Sequence, residues 1–103
     1  MLRYLHAVLW VMLVVSFPAA AGGPASMPQR HFACQVDTVS GIAGLVLIQA
    51  DDREEAENAA LKAEAHTLAG TKSQARALME CIEQRGERFR DSYFDRFYRE
   101  FPR

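Results

Sequence analysis

The chain has 103 residues, which allows one small domain at most. Its formal net charge of -1 at pH 7 gives no overall electrostatic case for nucleic acid or an anionic membrane surface. Half of the residues are hydrophobic, but many of them sit in the first twenty positions, so the figure overstates the core a folded domain can use.

The chain starts MLRYLHAVLWVMLVVSFPAAAGGPA. Arg3 supplies a positive start, Ala7 to Phe17 is apolar except for Ser16, Pro18 ends any helix, and Ala19, Ala20 and Ala21 place small residues before a cleavage point. This is the three-part layout of a secretory signal peptide, with cleavage expected after Ala21 and residues 1–21 removed. The alternative is an uncleaved anchor, for which the apolar stretch falls short of the roughly 20 residues a membrane span needs. A lipid-attachment cysteine is not expected, because the first cysteine, Cys34, lies far beyond the apolar stretch. Without residues 1–21 the chain carries 11 Lys/Arg against 13 Asp/Glu and keeps both cysteines. Two cysteines in an exported domain of this size predict one disulfide, Cys34 to Cys81. Closing that loop is worth about 4 kcal/mol in the chain-entropy account.

Residues 22–30 (GGPASMPQR) are rich in Gly, Pro and Ser and read as a flexible leader; residues 31–103 form the single domain. His31 to Thr38 alternates, with Phe32, Cys34, Val36 and Thr38 on one side, and predicts a half-buried strand. Ser40 to Gly44 is a turn, and Leu45 to Gln49 (LVLIQ) is a second strand, completing a hairpin. Asp51 or Asp52 then caps a helix, with Glu54 or Glu55 in the reciprocal capping position. Ala56, Ala59, Ala60, Ala63 and Leu68 form its narrow apolar stripe, His66 lies late in it, and Gly70 stops it. Residues from Ala75 (ARALMECIEQ) fit either a helix or a strand. The strand is preferred, because a third strand completes a marginal hairpin-and-helix unit and brings Cys81 alongside Cys34. A turn around Gly86 precedes a last helix, SYFDRFYREF, capped by Asp91 or Ser92 and ended by Pro102. The predicted fold is α+β, in the order β-β-α-β-α, with a small antiparallel sheet, helices packed on one face and one disulfide. The alternative is a β-hairpin followed by three helices.

Few constellations carry chemistry. Gly41 and Gly44 precede a strand, whereas a phosphate-cradling loop needs glycines between a strand and a helix, so they read as a hairpin turn. The carboxylates Asp51, Asp52, Glu54, Glu55 and Glu57 lack the alternating ligand order of a calcium loop and sit where a helix start favours negative charge. His31, Cys34, His66 and Cys81 are the right types for a tetrahedral zinc site, which gives an alternative reading as a metal-binding module, but no CxxC pair is present and an oxidising compartment favours the disulfide. Ser40, Ser73 and Ser92 lie in turns or caps with no nucleophile elbow. A small envelope hydrolase would need a cleft bringing His31 or His66 beside Asp37 or Glu80. No cofactor and no metal are expected.

The C-terminal third is the least bland stretch. Residues 71–103 hold 8 Lys/Arg and 6 Asp/Glu, a balance of +2, whereas residues 22–70 hold 3 and 7, a balance of -4. Arginines and aromatics interleave there, and these are the side chains that dominate protein interfaces. The sequence therefore predicts an exported, periplasmic or secreted, non-enzymatic interaction or accessory protein. Its expected partner is another envelope protein, with no role for nucleic acid and none for a membrane after signal cleavage. The partner-binding residues expected are Arg90, Tyr93, Arg96, Tyr98 and Arg99, within Phe89 to Phe101.

Overall fold

A computed structural model of the chain describes residues 30–103. The expected signal peptide, its expected cleavage point and nearly all of the expected leader lie outside the described residues. Six elements follow in order: β1 (Arg30–Thr38), β2 (Gly44–Ala50), α1 (Arg53–Ala60), β3 (Glu64–Thr67), β4 (Lys72–Glu83) and α2 (Ser92–Glu100). Arg30, expected to end the leader, is the first residue of β1.

The four strands close into an antiparallel barrel in the order β1-β2-β3-β4. β1 and β2 form the expected hairpin, with Cys34 opposite Val46, and Gly41 in its turn has φ +82°. The helix expected to run to Gly70 ends at Ala60, capped at its start by Asp52, whose side chain accepts from the Glu55 amide. The Glu55 carboxylate reaches back to the Asp51 amide at 2.7 Å, so two carboxylates of the acidic cluster, Asp52 and Glu55, are engaged in starting this helix. Past Leu61, the run Glu64-Ala65-His66-Thr67 alternates, and Ala65 and Thr67 are buried against the other strands. Pairing with β2 on one side and β4 on the other outweighs helix propensity there. Gly70, with φ +81°, serves the β3–β4 turn rather than a helix end. His66 is consequently a strand residue, its ring tilted at 54° against that of Phe101 with centroids 5.0 Å apart.

The ambiguous segment is strand: β4 is continuous from Lys72 to Glu83, which rules out the three-helix alternative. The register of β1 against β4 shifts twice, leaving Met79 and Arg76 as extra residues on β4. Such bulges bend and twist a strand. The bend lets one long strand pair with β1 along most of its length and with the short β3 at its start.

The interior of the barrel holds Phe32, Cys34, Val36, Val46, Ala50, Ala65, Ala75 and Cys81. Most are small, because four strands enclose little space. Cys34 and Cys81 are directly opposite in register, with Cα atoms 4.0 Å apart, and are joined by a disulfide. β3 pairs with only Gly44 and Leu45 of β2, so strand pairing does not close the wall beyond that point. α1 fills this gap, packing on β1, β2 and β4 and burying Ala56 and Ala60 with the barrel interior. Arg53 on α1 donates to the Cys81 carbonyl at 2.9 Å, satisfying an acceptor on β4.

α2 lies elsewhere. Its Phe94 and Tyr98, with Phe89 before it, cover Ala33, Leu45 and Ile82 on the outside of the barrel. The two helices therefore bury different faces of the sheet, not one as the sequence suggested. β1 is buried on both faces at its centre for the same reason, with Ala33 and Gln35 covered as well as Phe32, Cys34 and Val36. No helix among the described residues is long and apolar enough to cross a membrane.

Candidate functional site

The approach to α2 is fixed by a turn at Gly86, φ +87°, and by the Asp91 cap, whose carboxylate accepts from the Tyr93 and Phe94 amides. Asp95, buried one turn in, accepts from the Phe89 amide at 3.0 Å and from Arg99 Nε at 2.8 Å, with Arg88 at 3.4 Å. Burial pushes the Asp95 carboxyl upward, but the Arg99 hydrogen bond and the Phe89 amide outweigh it and leave the group below its usual range. This carboxylate fastens the loop before α2 to the helix itself.

The five residues expected to meet a partner divide in two. Arg90, Tyr93 and Arg96 face solvent; Tyr93 is 66% exposed, and the Arg90 side chain is 93% exposed, although its backbone amide donates to Glu80. Tyr98, by contrast, is 2% exposed and packs edge-on against Phe89, with the Arg103 guanidinium over its ring at 4.4 Å. The helical stripe Phe94–Tyr98 is what buries α2, so Tyr98 is a core side chain. Arg99 stands between the two groups, half exposed and held by Asp95.

The other sequence candidates are not brought together. Both cysteine thiols are spent in the disulfide, and His66 lies against Phe101. Among the described residues no three His, Cys, Asp or Glu side chains gather as a metal site. Asp37 is paired with Arg76, and Glu80 accepts from the Arg90 amide, so neither stands in a cleft with a histidine.

Sequence reasoning missed two adjoining hollows beside the start of β1. One, of about 390 Å³, is lined by Arg30, His31, Glu83, Gln84 and Arg85. The other, of about 360 Å³, shares His31 and Gln84 and adds Leu47, Ile48, Gln49 and Arg103. These residues come from three strand ends and the C-terminus, and no spacing in the sequence links them. Arg30 forks onto Glu83 at 3.1 and 3.0 Å. That hydrogen bond raises the Arg30 guanidinium above its ordinary value and holds the Glu83 carboxyl below its own. Glu87 is lowered too, first by the Glu83 amide and then by Arg53.

No protein-family model matches the chain, and no match is found among curated proteins or solved structures.

Proposed function

We propose that the chain is an exported, non-enzymatic interaction or accessory protein of the periplasm or cell exterior, and that it meets another envelope protein through the solvent side of α2. The observation that carries this reading is the Cys34–Cys81 disulfide, buried in the middle of the barrel, since such bonds form and persist in oxidising compartments. The apolar start of the sequence, with its small residues before Gly22, supports the same destination. The surface consists of Arg90, Tyr93 and Arg96, exposed side chains of the two types that interface hot spots favour.

The test is a triple variant, R90A/Y93A/R96A, of the exported chain. Its thermal unfolding should match that of the parent, because none of the three side chains enters the core. Recovery of a partner from envelope extracts should fall about tenfold, the loss expected for about 1.4 kcal/mol of interface energy. Unchanged recovery with the fold intact would overturn the assignment. Y98A is the contrasting variant: it should unfold the domain rather than report on a surface.

A further inference from the structure

The two hollows beside β1 adjoin along a groove, with His31 and Gln84 lining both. Their volumes, about 390 and 360 Å³, are those of small-molecule sites, which run from about 300 to 1,000 Å³. The floor is set in place: the Gln84 side chain donates to the Phe32 carbonyl at 3.0 Å, and its amide donates to the His31 carbonyl at 2.9 Å.

The charges in the groove do not cancel. Among the described residues its one lining carboxylate side chain, Glu83, is engaged by both arms of Arg30. Arg85 is exposed and makes no ion pair with a described residue. Arg103 lies over the Tyr98 ring and donates to a backbone carbonyl, and it too makes no ion pair with a carboxylate side chain among the described residues. Beside these cations stands Leu47, 36% exposed and one of few large apolar side chains left on the surface among the described residues, whereas its neighbour Ile48 packs against the barrel interior. A guanidinium without a carboxylate favours a planar oxyanion, and an exposed aliphatic side chain favours a hydrocarbon.

We propose that this groove binds a small amphipathic carboxylate, with the carboxylate at Arg85 and His31 and a short hydrocarbon portion along Leu47. The assignment is independent of the α2 surface, and the R90A/Y93A/R96A variant should retain it in full.

Octanoate below its micelle concentration is the probe, followed by amide NMR on the full exported chain. Acetate, inorganic phosphate and 1-octanol are the controls. Octanoate should move the signals of His31, Leu47 and Gln84 with a Kd at least tenfold below that for each control. R85Q/R103Q should raise that Kd about tenfold, and L47S should bring octanoate down to the level of acetate, both with the parent's unfolding midpoint. Equal binding of phosphate, acetate or octanol, signal changes elsewhere on the domain, or full octanoate affinity in R85Q/R103Q would each overturn the proposal.

Discussion

Gly41 and Gly44 flank the same turn but are glycines for different reasons. Gly41 needs its positive φ and has open space around it. At Gly44 a Cβ would stand 2.6 Å from the Ala65 Cβ and 3.1 Å from Thr38 Cγ2, so β2 and β3 can approach only because no side chain intervenes. G44A should therefore cost about 1–3 kcal/mol, the range for overpacking, measured by urea unfolding. A cost near zero would mean the two strands separate readily. Only the first glycine was legible in the sequence: a turn is local, whereas the neighbour that crowds Gly44 belongs to a strand that read as helix. Asp95 makes the same point with charge. Its partners Phe89, Arg88 and Arg99 are near in sequence, yet nothing in the pattern marked it as buried. Because folding lowers its pKa, Asp95 stabilises the domain fully above the ordinary carboxylate value of about 3.9, and that contribution fades as pH falls through the lower folded value. D95N should lose about 1.5–3 kcal/mol at pH 7, the worth of hydrogen bonds to a charged group. The gap between variant and parent should narrow as pH falls below about 4 in urea titrations, and a gap independent of pH would show that the charge is not what matters.

At the scale of elements, α1 and β3 divide a stretch that composition alone assigns to one helix. The acidic start was legible because capping is a local interaction, and Asp52 and Glu55 behave as their spacing implies. The early end was not, since alanines at positions 56, 59, 60 and 63 satisfy a helix stripe whether or not a sheet competes for the residues after them. The sheet wins because closure needs a strand between β2 and β4, and the shortness of that strand is what gives α1 its place in the wall. Arg53 is the joint: besides the Cys81 carbonyl it holds the Glu87 carboxylate at 3.0 and 3.1 Å, tying helix, strand and the turn after β4. R53A should destabilise by about 1–2 kcal/mol, less than a fully buried network would, because the Arg53 side chain is 41% exposed. Hydrogen exchange should rise first in α1 and at the Cys81 end of β4. Exchange that rises uniformly over the domain would instead place Arg53 outside any local joint.

For the whole molecule, the disulfide carries the most consequence, and it was the long-range contact most legible in the sequence. Two cysteines in a short chain have one intramolecular pairing open to them, so the bond could be read without knowing the sheet. The barrel around it could not, because closure depends on β3 and on two bulges in β4 that leave no local signature. Their combination makes the bond central. Cys34 is fully buried and Cys81 is 4% exposed, so a reductant reaches the sulfurs only when β1 and β4 part. The folded protein should thus resist dithiothreitol at neutral pH, with alkylation by iodoacetamide appearing only as urea approaches the unfolding midpoint. Once formed without the bond, as C34A/C81A or as a chain lacking residues 1–21 and kept in a reducing cytosol, the domain should be less stable by about 2–5 kcal/mol. A barrel interior in which five of ten buried residues are alanines has little apolar bulk to offset the loss, which places this small domain among those for which such a deficit matters to folding at 37 °C. Protease resistance and soluble yield should accordingly be high for the exported chain and low for the cytosolic one. Equal yields and equal unfolding midpoints from the two compartments would show that the barrel stands without its staple, and would remove the main reason for placing the protein outside the cytosol.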